Sequence, residues 1–263
     1  MNEITITHLY PDKMCIYGDL GNVRTLVYRL EKLGFSPVVR NVHIGEALPE
    51  WTDVYFIGGG QDNDQFEVFQ DLLTKQQKLA VDIEDGVSLL AICGGYQLLG
   101  KTFLDAQGRS LDGLDILPVE TKAADSSVHS RCIGNVLIGA NIPELEETYL
   151  VGFENHGGQT YILPHHNHAK EGYPLGKVLV GFGNNAVEKH EGYVYKNVVG
   201  TYLHGSCLPK NPELANWLIQ RAVQRLDKKH GTTLFDTTNW GVIDDSLALQ
   251  AKQAIVDRLL SAN

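Results

Sequence analysis

The sequence predicts an α/β fold: a mostly parallel sheet flanked by helices, followed by a C-terminal helical extension. Two observations carry this. First, short apolar runs alternate with amphipathic stretches through residues 4–103, the pattern of strands joined by crossover helices. Second, two of the apolar runs, VYFI (54–57) and SLLAI (88–92), end in glycine corners, GGG (58–60) and CGG (93–95). Runs without polar alternation belong to parallel strands covered on both faces. In such sheets the site lies beyond the carboxyl ends of the strands, so both corners are expected at one edge.

Taken in order, ITITHL (4–9) alternates β-branched residues and reads as a strand. CIYGDLGN (15–22) reads as a short strand and a glycine turn. VRTLVYRLEKLG (23–34) places Leu26, Leu30 and Leu33 on one helical face, with Gly34 as its cap. SPVVRNV (36–42) is the next strand. Residues 64–85 read as a helix burying Phe66, Phe69, Leu72, Leu73 and Leu79, and residues 94–103 as the helix after the second corner. Strands with turns are expected over 131–140, 148–153, 177–183, 191–197 and 198–205. NPELANWLIQRAVQRL (211–226) is a helix with Asn211 as N-cap and Pro212 at its first position. The polar stretch 227–241 reads as a connector and 244–260 as a terminal helix. The expected organisation is one domain over 1–227 and a helical extension over 228–263.

Composition narrows the function. The chain has 263 residues, is 43% hydrophobic and carries a net charge of −10, so it can build a core and is not made to neutralise nucleic-acid phosphates. No apolar stretch approaches the roughly 20 residues a bilayer needs, and the N-terminus lacks a signal-peptide pattern. Cys15, Cys93, Cys132 and Cys207 show no metal-site or disulfide spacing and read as reduced cytosolic thiols. His165, His166 and His168 read as a solvated loop, with a metal cluster as the alternative.

The chemistry concentrates at LLAICGGYQLLG (89–100). A strand-to-helix elbow exposes its corner residue above the sheet edge, needs small neighbours, and aims a helix N-terminus at the sulfur of Cys93. The amide of Gly94 then points where an oxyanion would form. The alternative is a small buried Cys ending a strand, and the double glycine favours the nucleophile. A thiol nucleophile needs a base. His204 in TYLHGS, directly after an apolar run, is the first candidate, and His156 in GFENHGG is the rival. Either could instead be a hydrogen-bonded structural histidine.

AICGGYQLLG together with GTYLHG resembles the class I glutamine amidotransferases, most closely the cobyric acid synthase-type branch, whose elbow reads C-G-G-Y-Q. YGDLGNVRTL (17–26), FIGGGQD (56–62), SRCIGN (130–135) and GFENHGGQTY (152–161) are similar to the glutaminase subunits of that branch that serve lipid II amidation. The resemblance implies that Cys93 attacks the side-chain amide of L-glutamine and that His204 relays the proton. It implies an oxyanion hole from the amides of Gly59 and Gly94. Arg131 falls where the family holds the substrate carboxylate, a task suited to a guanidinium fork. Gln97, one turn after Cys93, is expected to line the pocket.

The chain contains no G-x-x-x-x-G-K-[ST] loop, so no cofactor is expected on it. The resemblance places ATP and Mg on a MurT-like, Mur-ligase-type partner subunit. That partner would amidate the D-glutamate α-carboxylate of the lipid II stem peptide, at the cytoplasmic face of a bacterial membrane. One feature departs from the wider class: His204 is followed by Gly205 and Ser206, with no carboxylate two residues on. The resemblance implies a partner carboxylate as the third triad member, with Glu154 as the internal alternative. Three other readings stand beside this one: a cobyric acid-type glutaminase with another acceptor, a partner-binding pseudoenzyme, and a stand-alone cysteine hydrolase.

Overall fold

The computed structural model describes residues 2–104, 108–124, 131–164 and 171–262. The three histidines of the 165–168 stretch lie outside them. The first half alternates as expected: β1 (Glu3–Leu9), α1 (Leu20–Lys32), β2 (Ser36–Val42), β3 (Val54–Ile57), α2 (Asp62–Glu84), β4 (Ser88–Ile92) and α3 (Gly94–Leu99). The strand-rich middle gives β5 (Thr102–Leu104), β6 (Ser110–Asp112), β7 (Val119–Ala123), β8 (Cys132–Ala140), β9 (Tyr149–His156), β10 (Gly158–Ile162), β11 (Gly176–Val180), β12 (His190–Glu191), β13 (Tyr193–Tyr195) and β14 (Val198–Thr201). The chain closes with α4 (Cys207–Lys210), α5 (Pro212–His230), α6 (Leu234–Thr237) and α7 (Ser246–Ser261).

The main sheet runs β13-β14-β4-β3-β1-β2 and is parallel except for β13. β3 and β4 are buried at every position, which accounts for their unbroken apolar sequences. From β1 the chain crosses rightward through α1 to β2. From β3 it crosses leftward through α2 to β4. Right-handed crossovers in opposite directions put α1 and α2 on opposite faces. α5 shares the α1 face: the Arg29 guanidinium, itself buried, donates to Asn216 at 2.7 and 3.0 Å. Two four-stranded sheets, β10-β7-β5-β6 and β12-β11-β8-β9, stand beside this core.

Several elements differ from expectation. No strand forms at 15–22; those residues make turns that run into α1 at Leu20. The stretch is held by tertiary pairing instead, Ile16 N–H donating to Gly59 O and Gly58 N–H to Met14 O. Leu73 lies outside the buried face of α2, at 37% exposure. α3 stops at Leu99, and β5 occupies the residues expected to continue it. Asn211 sits at the N-cap position of α5, but its side chain does not cap. It accepts from Val151 N–H and donates to Val151 O and Cys207 O, bolting α5 to β9.

The expected boundary at 227/228 falls inside α5, which runs to His230. The stretch after it is ordered by Asp227, whose carboxylate accepts the amides of Leu234 and Phe235 at 2.8 and 2.7 Å. α7 docks on its own chain. Val256 and Leu259 pack with Leu137 and Val151, and Lys252 reaches Glu213 and Tyr149 O. Among the described residues, no helix is long and apolar enough to cross a membrane.

Candidate active site

Four segments leave neighbouring strands at one edge of the main sheet: 10–19 after β1, 58–60 after β3, Cys93 after β4, and 202–206 after β14. The strand order β14-β4-β3-β1 makes these four segments neighbours in space.

Cys93 sits at φ +49, ψ −104, outside the ordinary regions for a side-chain-bearing residue. The elbow is held on both sides: Cys93 N–H donates to Thr201 O, and Gly95 N–H to Gly58 O. Gly95 cannot carry a side chain there, because a Cβ would lie 2.9 Å from the carbonyl oxygens of Ile57 and Gly58. A Cβ on Gly59 would meet His204 Cε1 at 2.8 Å and Cys93 Cβ at 3.4 Å, so Cys93, His204 and the Gly59 corner face one another directly.

His204 is fully buried and its backbone pairs in both directions with Phe153 of β9. Two residues earlier, Tyr202 N–H donates to Glu191 Oε1 at 2.6 Å, which fixes the approach of the chain. Burial pushes the imidazole pKa down, and this is the largest single influence. Its interactions with Cys93 and Asp19 outweigh burial and raise the ring to about 10. His156 behaves oppositely: burial holds it down at about 4, against the pull of Gly158 O. Its ring stacks on Tyr202 at 3.7 Å and 15°, and its Nδ1 lies 2.7 Å from Gly158 O. Its stack on Tyr202 and its contact with Gly158 O make His156 a structural histidine.

A carboxylate that the sequence did not single out, Asp19, lies fully buried at the end of the 10–19 segment. Its Oδ1 lies 3.5 Å from His204 Nδ1, and its Oδ2 accepts Gly59 N–H at 2.8 Å. The Gly59 amide is thus engaged by Asp19 in this structure. The Gly94 amide, first in α3, has no intrahelical acceptor. Glu154 points elsewhere: its two oxygens accept the amides of Phe182 and Gly183, and burial raises it to about 7.

The YGDLGN motif explains how Asp19 is placed. Gly18 O accepts the Ser206 hydroxyl at 2.5 Å, and Asn22 Oδ1 accepts Leu208 N–H at 2.8 Å. Gly21 leaves the room Ser206 needs, since a Cβ there would lie 2.1 Å from Ser206 Oγ. Gly18 and Asn22 of the motif thus clamp the turn that follows His204.

Arg131 is exposed, and its Nε donates to Asn155 Oδ1 at 2.7 Å. Asn155 in turn donates to Tyr17 OH at 2.9 Å, so Arg131 is linked to the ring standing against His204. Gln97 is buried with its amide donating to Tyr202 OH at 3.0 Å. Among the described residues no group of three His, Cys, Asp or Glu side chains could hold a metal ion.

An elbow cysteine, a facing buried histidine and a glycine corner thus share one edge of a parallel sheet, the arrangement a glutamine amidotransferase-type hydrolase requires. Residues 5–212 match the model of the CobB/CobQ-like glutamine amidotransferase domain, and the chain belongs to that family. Among curated relatives it is 38% identical to the lipid II isoglutaminyl synthase (glutamine-hydrolyzing) subunit GatD of Staphylococcus aureus, over 98% of this chain and 97% of that protein. It is also 38% identical to the GatD subunit of Streptococcus pneumoniae, over 87% of this chain and 83% of that one. Within the family the chain groups with these GatD subunits. The fold is shared with the PurLQS structure from Thermotoga maritima at TM-score 0.55 and 15% identity, over 86% of this chain and all of that one.

Proposed function

We propose that this chain is the glutaminase subunit of a lipid II isoglutaminyl synthase. Cys93 Sγ attacks the side-chain amide carbon of L-glutamine and the oxyanion forms against the Gly94 amide. The Gly59 amide joins it once exchanged from Asp19. The imidazolium of His204 gives its proton to the departing nitrogen, the C–N bond breaks, and ammonia leaves a γ-glutamyl thioester. His204, now neutral, takes a proton from water as it attacks the thioester, releasing glutamate and restoring the thiolate–imidazolium pair. Arg131 holds the substrate carboxylate at the rim, and Gln97 with Tyr202 closes the pocket wall.

The observation that carries this reading is the facing of strained Cys93 and buried His204 across the Gly59 corner. Two arguments support the acceptor. The GatD relatives match nearly end to end, whereas a cobyric acid synthase of Methanothermobacter thermautotrophicus matches at 29% over only 39% of its length. The given residues also carry no G-x-x-x-x-G-K-[ST] loop, which fits an ATP-dependent step carried by a second polypeptide. That polypeptide is a MurT-like Mur-ligase-type subunit using ATP and Mg. It converts the D-glutamate of the lipid II stem to D-isoglutamine at the inner face of the membrane.

The test is glutamate release from glutamine by the purified chain, alone and with the co-encoded Mur-ligase-type subunit, for wild type and Cys93→Ala. Release that rises with the partner and vanishes in the variant supports the reading. No release under either condition overturns it.

A further inference from the structure

We propose that Gln65 is the positioning residue that ties the glycine corner at 58–60 to the elbow of Cys93, and so sets the spacing of the amides that meet the oxyanion. This rests on the glutaminase reading.

Gln65 lies one turn into α2, and only 2% of its surface is exposed. A carboxamide is costly to bury unless its groups are paired. Its nitrogen is paired: Nε2–H donates to Gly60 O at 3.3 Å. Its Oε1 is buried and has no partner. Leu or Met would fill the same space and leave no bare oxygen, so packing alone does not account for a glutamine here.

The side chain sits where two segments of the site meet. A Cβ on Gly94 would lie 2.8 Å from Gln65 Nε2, 3.0 Å from its Cδ and 3.1 Å from Gly60 N. The carboxamide and Gly60 therefore press together on Gly94, whose amide follows Cys93. The other ties of the corner arrive from other directions. Gly58 O accepts Gly95 N–H, Gly59 N–H is held by Asp19, and a Cβ on Gly60 would lie 2.4 Å from Met14 Sδ. Gln65 is the tie from the α2 side: it bonds the corner at Gly60 and touches the elbow at Gly94. An oxyanion hole works when its donors stand about 2.7–3.1 Å from the oxygen on which charge develops. Without the Gln65 bond the Gly60 peptide is free to turn, the corner drifts from Gly94, and the donors no longer converge.

Gln65→Met keeps the length and bulk of the side chain and removes the N–H. Gln65→Glu keeps the shape and sets an oxygen against the Gly60 carbonyl; once protonated, it can donate again. Wild type and both variants are compared for glutamate release in complex with the Mur-ligase-type subunit, and for alkylation of Cys93 by iodoacetamide. Alkylation needs the thiolate, displaces iodide and forms no oxyanion. Losing a whole oxyanion donor costs about 100- to 1,000-fold in kcat, so losing the tie behind one should cost at least about tenfold. For Gln65→Met, kcat should fall by that much, with KM within about threefold and the alkylation rate within about twofold of wild type. For Gln65→Glu the fall should be larger at pH 8 and shrink toward pH 6, as the buried carboxyl takes up its proton. A Gln65→Met complex that keeps its kcat within about threefold overturns the proposal. So does a parallel fall in kcat and alkylation, which would mean that the elbow itself has been disturbed. If the wild type releases no glutamate, the glutaminase reading falls. Gln65 is then judged by acylation of Cys93 with p-nitrophenyl acetate, a reaction that does form an oxyanion, against alkylation by iodoacetamide. A lower ratio of the two rates in Gln65→Met supports the tie, and an unchanged ratio overturns it.

Discussion

The ring of Tyr17 stands edge-on to His204, with centroids 5.1 Å apart and planes at 72°. Tyr17 is about half exposed and sits at φ +54, so a strained residue forms the outer wall of the buried base. Its hydroxyl accepts from Asn155, and Asn155 accepts from Arg131. If Arg131 takes the substrate carboxylate, this chain sets the angle of its guanidinium. Tyr17→Phe keeps the ring and removes one hydrogen bond of about 1 kcal/mol. KM for glutamine should rise about fivefold with kcat within twofold, read from steady-state glutamate release. A fall in kcat with KM unchanged would mean that Tyr17 serves His204 and not Arg131.

The elbow was legible because its requirements are local. An apolar run, a cysteine and two glycines specify a tight corner whatever surrounds it, and Gly95 against the Ile57 and Gly58 carbonyls shows why. His204 was legible for the same reason, as a histidine directly after a buried strand. Asp19 was not, because its partner lies 185 positions away. Sequence reasoning sought a carboxylate two residues after the histidine, and an Asp opening a helix passes for an ordinary cap. Here that side chain makes no cap and turns into the site. The supposed strand at 15–22 failed similarly: Cys15, Ile16 and Tyr17 have strand-like composition, but the amide of Ile16 is claimed by Gly59 O and the carbonyl of Met14 by Gly58 N–H. Pairing between loops from different strands leaves no periodic mark.

His8 gives a pH prediction independent of the catalytic reading. Its ring is buried against Phe56, with centroids 5.1 Å apart, and its Nε2 has no partner. Burial lowers its pKa from 6.5 to about 4, against the pull of Asp19 and with a smaller push from His43. Below 6.5 the unfolded chain binds a proton that the folded chain refuses. The stability His8 allows is therefore complete above pH 6.5 and is lost as pH falls toward 4. Each pH unit in that window costs about 1.4 kcal/mol. Glu154 and Glu191, raised to about 7 and 8, push the opposite way, but they are common to wild type and variant. Relative to wild type, His8→Gln should gain about 2 kcal/mol between pH 7 and pH 5 in urea unfolding. A difference that does not change with pH would place the proton elsewhere.

α7 belongs to the stability of this chain. Val256, with 1% of its surface exposed, packs on Leu137 of β8 and Val151 of β9, the strand whose Phe153 clamps His204. Lys252 adds a contact to Glu213 of α5 at 2.5 Å, and Asp245, just before the helix, pairs with buried Arg29 through two bonds of 2.7 and 2.8 Å. The extension is thus joined to α1, α5 and β9 together. Val256→Ala should cost about 2 kcal/mol in urea unfolding, the transfer of two methyl groups plus a cavity. Leu247, on the same helix but 78% exposed, should cost less than about 0.5 kcal/mol when changed to alanine. If Val256→Ala leaves the isolated chain unchanged and weakens only its complex with the Mur-ligase-type subunit, α7 serves the partner and its packing on β8 and β9 does not hold in solution. If stability drops as expected, and with it the glutaminase rate at temperatures near the midpoint, then α7 holds β9, and through Phe153 it holds His204 in place.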